Sequence, residues 1–265
     1  MATTRKYIFD VDTKRYLNRV NVYRQLNGLS NIVNTDAVDI DNFIIGLKDL
    51  NLWYNGIMWL LRSNQNVGAG VNVISLGGGG IYDGTMLNSP TWGTIGMTFP
   101  RTTASCVSIT RPIGSNPEAE YSIFSVHCNF VQDSLYRALW IGRDASNDRM
   151  FSRTTGGDAY QAGTVGVSAP TSINGNHSTA LVASSGSVSK TVTAYKDGAT
   201  SSSSTGTNTG NNTIYNIGGL STDSTRSFGY EISFNAAFTK TLTADNILSL
   251  HNLYKTTIGK GLGLP

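Results

Sequence analysis

The chain is short of charge, of cysteine and of long apolar runs. Only 14% of its 265 residues are Asp, Glu, Lys or Arg, a composition that suits many strands joined by turns better than long exposed helices. The net charge of +3 is small for this length and the 20 Lys and Arg are scattered, so nucleic-acid binding, which needs a clustered basic face, gets no support. No stretch approaches the roughly 18 apolar residues of a membrane span. The opening MATTRKYIFDVDTKRY has no apolar core of the kind a secretion signal carries, so neither membrane insertion nor signal-led export is expected. Cys106 and Cys128 allow at most one intrachain bridge. Both sit in strand-like runs, where two small buried thiols are the expected reading.

Residues fit for catalysis or metal binding are equally scarce. His127, His177 and His251 are far apart in sequence and none has a partner at metal-ligand spacing. His127 and Cys128 are neighbours, but adjacent strand residues point to opposite faces and make no nucleophile-base pair. His127 is read as a satisfied surface residue. The acidic and amide groups of Asp144, Asn147 and Asp148, with Asp197 and Asp223 elsewhere, are hard ligands of the type calcium takes. A turn rich in Asx residues is the favoured reading, and no metal or cofactor is assigned.

What is present is Gly, Ser, Thr and Asn, and one clear pattern. From Arg226 to Asn235, Phe228, Tyr230, Ile232 and Phe234 recur at every second position, the period of a strand. After Thr243, an N-cap residue, Ile247, Leu250 and Tyr254 recur at helical spacing, with Asp245 at the positive end of the dipole. Taken in order, residues 1 to about 35 show no clean period and are read as an arm. Ile40, Phe43, Ile44 and Leu47 predict one helix over 38–49, capped by Asp36 or Asp39, with a strand over Met58–Leu61. Gly77–Gly80, Asp83-Gly84 and Ser89-Pro90 predict an irregular crossover. A phosphate loop would want Gly-Lys-Ser/Thr and a helix behind it, and Ile81-Tyr82-Asp83 supplies neither.

Further on, strands are expected over 104–110, 121–131, 136–143, 149–153, 178–184, 188–196, 213–217 and 226–235, a double-sheet sandwich. Phe124, Val126, Cys128 and Phe130 are read as the core face of their strand, and Ser125, His127 and Asn129 as its wet face. The segment 199–212, ATSSSSTGTNTGNN, is read as an exposed loop too polar to pack. The expected division is therefore 1–89, arm, helix and Gly-rich crossover, and 90–265, sandwich.

The C-terminal strand, the link Ala237-Phe238 and the closing helix resemble the end of the concanavalin A-like lectin/glucanase (LamG-type) jelly roll. The run Leu50-Asn51-Leu52-Trp53, the Gly-rich crossover, Pro90-Thr91-Trp92 and Gly96-Met97-Thr98-Phe99 are similar to the lead-in of tailed-bacteriophage proteins carrying that domain. The resemblance implies a mainly β fold, a concanavalin A-like jelly-roll sandwich with a short N-terminal helical or irregular arm and a C-terminal helix. Retaining glycosidases of this fold set two glutamates on one strand in a Glu-x-Asp-x-x-Glu run, about 5–5.5 Å apart. Here Glu118 and Glu120 follow Pro117 in a polar turn and Glu231 stands alone, so no enzyme is expected. The resemblance implies a phage virion structural protein, a head decoration, fibre or tail-associated component displaying a lectin-like domain. Such a protein reaches the outside on a particle released by lysis, without a secretion signal. It would be held to other virion proteins by residues 1 to about 60, with a homo-oligomer among the options. The alternative is an adhesin for host surface glycans, for which Tyr121, His127 and Trp140 are the candidate contacts.

Overall fold

Two helices precede the first strand. Asp10 caps α1 (Val11–Leu26) by accepting from Asp12 N at 2.9 Å, and Thr13, Tyr16, Leu17 and Val20 form its buried stripe. α2 (Asn34–Asp49) buries Ile40, Phe43, Ile44 and Leu47, the face read from the sequence, but it starts four residues before the expected 38. In the computed structural model, which describes residues 7–110, 120–131, 137–143, 148–151, 159–162, 165–168, 174–186, 189–207 and 214–265, the remaining order is strands with one late helix. The strands are β1 (Gly56–Leu60), β2 (Asn72–Val73), β3 (Ser75–Gly78), β4 (Gly84–Leu87), β5 (Met97–Thr98), β6 (Cys106–Ile109), β7 (Tyr121–Phe130) and β8 (Trp140–Arg143). They continue with β9 (Asp148–Phe151), β10 (Ala159–Ala162), β11 (Val165–Ser168), β12 (Gly175–Ala183), β13 (Ser189–Lys196), β14 (Ala199–Thr207), β15 (Ile214–Ile217) and β16 (Glu231–Phe238), before α3 (Ala244–Thr256).

The strands form two antiparallel eight-stranded sheets. One runs β14-β13-β12-β7-β16-β1-β3 with β5 beside β16; the other runs β11-β10-β9-β8-β15-β6-β4-β2. Between them lies a core that includes Ile57, Trp59, Ile123, Trp140, Leu181, Tyr215 and Ile232. The helices cover the opposite face of the first sheet, where Phe43, Leu60, Phe124, Val126, Phe234, Ile247 and Leu250 share a second core. The mainly β two-sheet sandwich with a C-terminal helix thus stands as expected, with a helical layer added outside it.

That third layer explains most departures from the sequence reading. β1 is buried at all five positions, because Ile57 and Trp59 face the other sheet while Met58 and Leu60 face the helices. It pairs with β16 from Gly56↔Phe238 to Leu60↔Phe234, so a domain boundary at 89 would cut both sheets. The arm read over 1 to about 35 contains α1, and residues 7–60 belong to the fold rather than to a free tether. The face of β7 read as wet is largely covered too, by the second sheet: Ser125 and His127 are fully buried, and Asn129 alone of the three is exposed. Phe130 leaves the row of Phe124, Val126 and Cys128, since Asn129 adopts a left-handed φ of 53° and turns the next side chain into the inter-sheet core.

Two further corrections concern strands. β16 covers 231–238, and its pairing with β7 shifts between Ile232 and Phe234. This bulge sends Ile232 to the inter-sheet core and Phe234 to the helices, where simple alternation put both on one face. The segment 199–212 is not all loop: its first nine residues form β14, hairpinned to β13 through Asp197-Gly198 with both φ values positive, 49° and 83°, as a type I′ turn requires. Hydroxyls on one strand then meet hydroxyls on the other, Thr191 with Thr205 at 2.9 Å and Thr193 with Ser203 at 3.1 Å. The rest of that segment lies outside the described residues.

α3 seats as its sequence demands. Thr243 and Asn246 form a capping box, and Tyr254 meets Phe234 and Phe43 with ring centroids 5.1 and 6.3 Å apart while donating to Ser233 Oγ at 2.9 Å. His251, 3% exposed, lies 2.8 Å from Ser178 Oγ through Nδ1 and 3.1 Å from the Pro265 carbonyl oxygen through Nε2. Burial lowers its pKa, only partly offset by the Pro265 carbonyl and Asp197, with Lys255 and His177 acting in the same direction as burial. Unfolded chain therefore takes up a proton on His251 as pH falls through the ordinary value of 6.5, while folded chain resists until a lower pH. Stability should be complete above that value and decline below it, and urea unfolding of His251→Gln should show a flatter pH dependence between about 6.5 and 5.

Candidate functional site

The three side chains proposed from the sequence as glycan contacts are all internal. Tyr121 and Trp140 belong to the inter-sheet core, and His127 is wedged edge-on against Phe130 and Phe228 at 5.7 and 6.0 Å. The reason is the same for each: strand alternation says which residues share a face but not which face meets the other sheet, and all three sit on the inter-sheet side. Cys106 and Cys128 are buried free thiols, as read from the sequence, and burial pushes them up to about 12 and about 11.

Nor do the remaining polar candidates among the described residues assemble into a reactive centre. Glu118, Asp144 and Asn147 lie outside the described residues. Glu120 accepts from Thr241 N and Oγ1 at 3.0 and 2.6 Å, which lowers its pKa. Asp223 caps the turn at Ser224–Arg226 through Thr225 N. Asp197 accepts from Ser178 N at 3.0 Å and pairs with His177 Nδ1 at 2.6 Å. Burial works against its charge, but these partners outweigh it and leave its pKa lowered. A serine triad needs one imidazole between hydroxyl and carboxylate. Here Asp197 holds His177 and Ser178 holds His251, so the elements are split between two rings.

A concavity that joins exposed aromatic surface to fixed polar groups lies elsewhere, where α1 meets the glycine-rich turn after β3. It encloses about 440 Å³, within the range of small-molecule sites, and is lined by Asp12, Arg15, Tyr16, Asn18 and Arg19 of α1, Trp53 and Tyr54, and Leu76 to Ile81. Trp53 is buried and forms part of the floor, while Tyr54 and Ile81 are 71% and 63% exposed at the rim. Lys48 Nζ sits 5.8 Å from the Trp53 ring and bonds Asp10 and Asp12 at 2.6 and 2.7 Å. Partial burial works against the Lys48 charge, yet these bonds outweigh it and leave its pKa raised; the same bond is the main cause of the lowered Asp10 pKa.

The opposite wall is the glycine turn, and Asp83 holds it. Its carboxylate takes a two-point grip from Arg19 Nη2, accepts from Ser75 N and Oγ at 2.9 and 3.0 Å, and so pins the turn to α1. Trp59 Nε1 donates to Tyr82 O at 2.8 Å beneath it. Two glycines set the shape. Gly77, φ 110°, leaves a side chain only ordinary contact with the Trp53 ring at 3.7 Å, while a Cβ on Gly78, φ 82°, would lie 2.3 Å from the Trp53 carbonyl oxygen. The sequence flagged this turn as a flexible crossover. Its partnership with α1 was hidden because α1 was read as an arm, although Asp10 as cap and 13, 16, 17 and 20 as a stripe were there to be found.

No protein-family model matches the sequence, and no curated protein resembles it in sequence. Solved structures do share its fold. Trypanosoma rangeli sialidase in complex with sialic acid superposes with a TM-score of 0.59 at 11% identity, over 94% of this chain and 39% of the sialidase. The same sialidase with the inhibitor DANA gives 0.57 at 12% identity, over 83% of this chain and 39% of that one. Domain 4 of AbnA, a GH43 extracellular arabinanase from Geobacillus stearothermophilus, in complex with arabinotriose, gives only 0.40 at 17% identity, over 74% and 87% of the two chains. This chain thus spans about two fifths of the sialidase, and identities this low speak for the sandwich fold alone.

The glycine geometry predicts an asymmetry. Gly78→Ala should cost about 1–3 kcal/mol for the backbone conformation and a further ~1–3 kcal/mol for the clash with fixed carbonyls. Gly77→Ala should cost only the first of these, and urea unfolding of the two variants checks the difference.

Proposed function

We propose that this chain is a non-enzymatic carbohydrate-recognition module that holds a glycan in the cleft between α1 and the Gly77–Ile81 turn. The observation that carries the proposal is the exposed ring of Tyr54 standing with Ile81 at the rim of a cleft whose other wall is polar. A sugar ring has an apolar face and a fringe of hydroxyls that both donate and accept. It matches an aromatic surface flanked by short, fixed polar side chains better than a purely apolar ligand does. The sandwich shared with a sialidase that was solved with sialic acid supports the reading at the level of fold. The absence of hydrolysis belongs to the same proposal, supported by the engagement of Glu120 with Thr241 and by the binding of the Ser178 hydroxyl and the Asp197 carboxylate to different imidazoles.

The place of action proposed with it is the surface of a bacteriophage particle, on the support of the resemblances at Trp53–Phe99 and at the C-terminal strand and helix. Because residues 7–60 fold into the module, attachment to neighbouring virion proteins is assigned to a folded surface rather than a loose arm. Mass spectrometry of gradient-purified particles tests this half: the chain should be present in intact virions, and its confinement to infected-cell lysate would overturn it. A glycan array followed by calorimetric titration tests the other half. Tyr54→Ala should weaken binding roughly 3- to 10-fold, the worth of one aromatic contact, with the melting temperature unchanged since the ring is exposed. Equal affinity in that variant would move the site away from the cleft.

A further inference from the structure

Charge in the cleft is fully paired, and this bears on which glycans it takes. Arg15 Nη1 lies 3.1 Å from Asp12 Oδ1, and the other oxygen of Asp12 is 2.7 Å from Lys48 Nζ, which also reaches Asp10 at 2.6 Å. Across the cleft, Arg19 has its Nη2 engaged by both oxygens of Asp83 and its Nη1 donating to Ser75 O at 3.0 Å. The charged groups lining the cleft and those they pair with are therefore three cations and three carboxylates.

We propose that the cleft selects uncharged sugars and rejects acid sugars, an inference that rests on the glycan reading above and names its ligand class. A carboxylate ligand is bound best by an open guanidinium fork, which makes two parallel bonds to its oxygens. Arg19 has both terminal nitrogens engaged, Nη2 by Asp83 and Nη1 by Ser75 O. Arg15 is open to solvent, with 73% of its side chain exposed, but the Asp12 carboxylate beside it opposes an incoming anion. With opposite charges adjacent, the field at the mouth cancels within a short distance and offers no steering to an anion. Hydroxyls lose nothing in such a place, since they find both donors and acceptors, and the Trp53, Tyr54 and Ile81 surface asks only for an apolar ring face.

The test is a calorimetric titration with matched oligosaccharides, identical except for a neutral or a sialic-acid terminus, at about 20 and about 300 mM salt, a range over which surface charge interactions are progressively screened. The wild-type chain should bind the neutral sugar more tightly, with an affinity that moves less than ~2-fold with salt. Asp12→Asn leaves Arg15 without its partner, and should raise affinity for the acid-terminated sugar several-fold at low salt and lose the gain at high salt. Tighter, salt-sensitive binding of the acid-terminated sugar by wild type would overturn the inference while leaving the glycan reading intact. An unchanged preference in a folded Asp12→Asn would overturn it as well, because selectivity would then have another source. Binding of neither sugar, or of any other glycan on the array, would remove the glycan reading and the inference with it.

Discussion

The constraint on which the rest depends is that the middle of the first sheet, β1, β7 and β16, is buried on both faces nearly throughout. A sheet in a plain sandwich keeps one side in water and can carry its polar residues there. Here the helices close that side, so polar side chains along β7 and β16 must find partners inside. They do so in a connected set. Ser122 Oγ accepts from Leu242 N and donates to Lys240 O, both at the approach to α3. Asn235 donates to Ser125 Oγ on the neighbouring strand and accepts from Tyr215 OH of the other sheet at 2.7 Å. Ser233 accepts from Tyr254 on α3. The Tyr215–Asn235 and Tyr254–Ser233 bonds each join two layers, so satisfying the polar groups also fixes how the layers register, which a slippery apolar contact alone does not do.

How much of this was legible follows from what period can and cannot say. The closing helix was readable because its cap, its acidic first turn and its stripe agree with one another. The strands were readable because β-branched and aromatic residues recur between turn signals. The faces were not, because Ser125 and His127 look like surface residues to any rule that counts polarity, while the second sheet packs on their side and the helices take the side of Phe124 and Val126. β14 escaped because a Ser-rich strand has little apolar surface to announce it. It is held by backbone pairing to β13 and by its hydroxyl partners, neither of which leaves a pattern in composition. The bulge in β16 escaped for a simpler reason: one extra residue reverses the side of everything after it, and no sequence rule marks the position.

The cleft shows the same limit from the other side. Its glycines were visible, but Tyr54 lies far from them in sequence, and α1 carries its apolar residues among exposed Val11, Val22 and Leu26, which blur the stripe. A site made from two stretches some 60 residues apart has no local signature. It becomes visible only when the Arg19–Asp83 pair brings the stretches together.

That pair has one more consequence. α1 has a narrow buried stripe and is seated largely by polar grips: Tyr16 on the Gln65 carbonyl, Arg24 on those of Ser63 and Asn66, and Arg19 on Asp83. Such an element is among the first to open when a fold breathes, since water replaces polar partners more readily than it replaces apolar ones. Since the cleft has α1 as one wall and the turn as the other, an occupant that touches both is a ligand of the closed state alone. By linkage it holds the helix down by as much as it favours that state over the open one. Protection of the α1 amides against solvent exchange is thus an internal gauge of whether the cleft is filled.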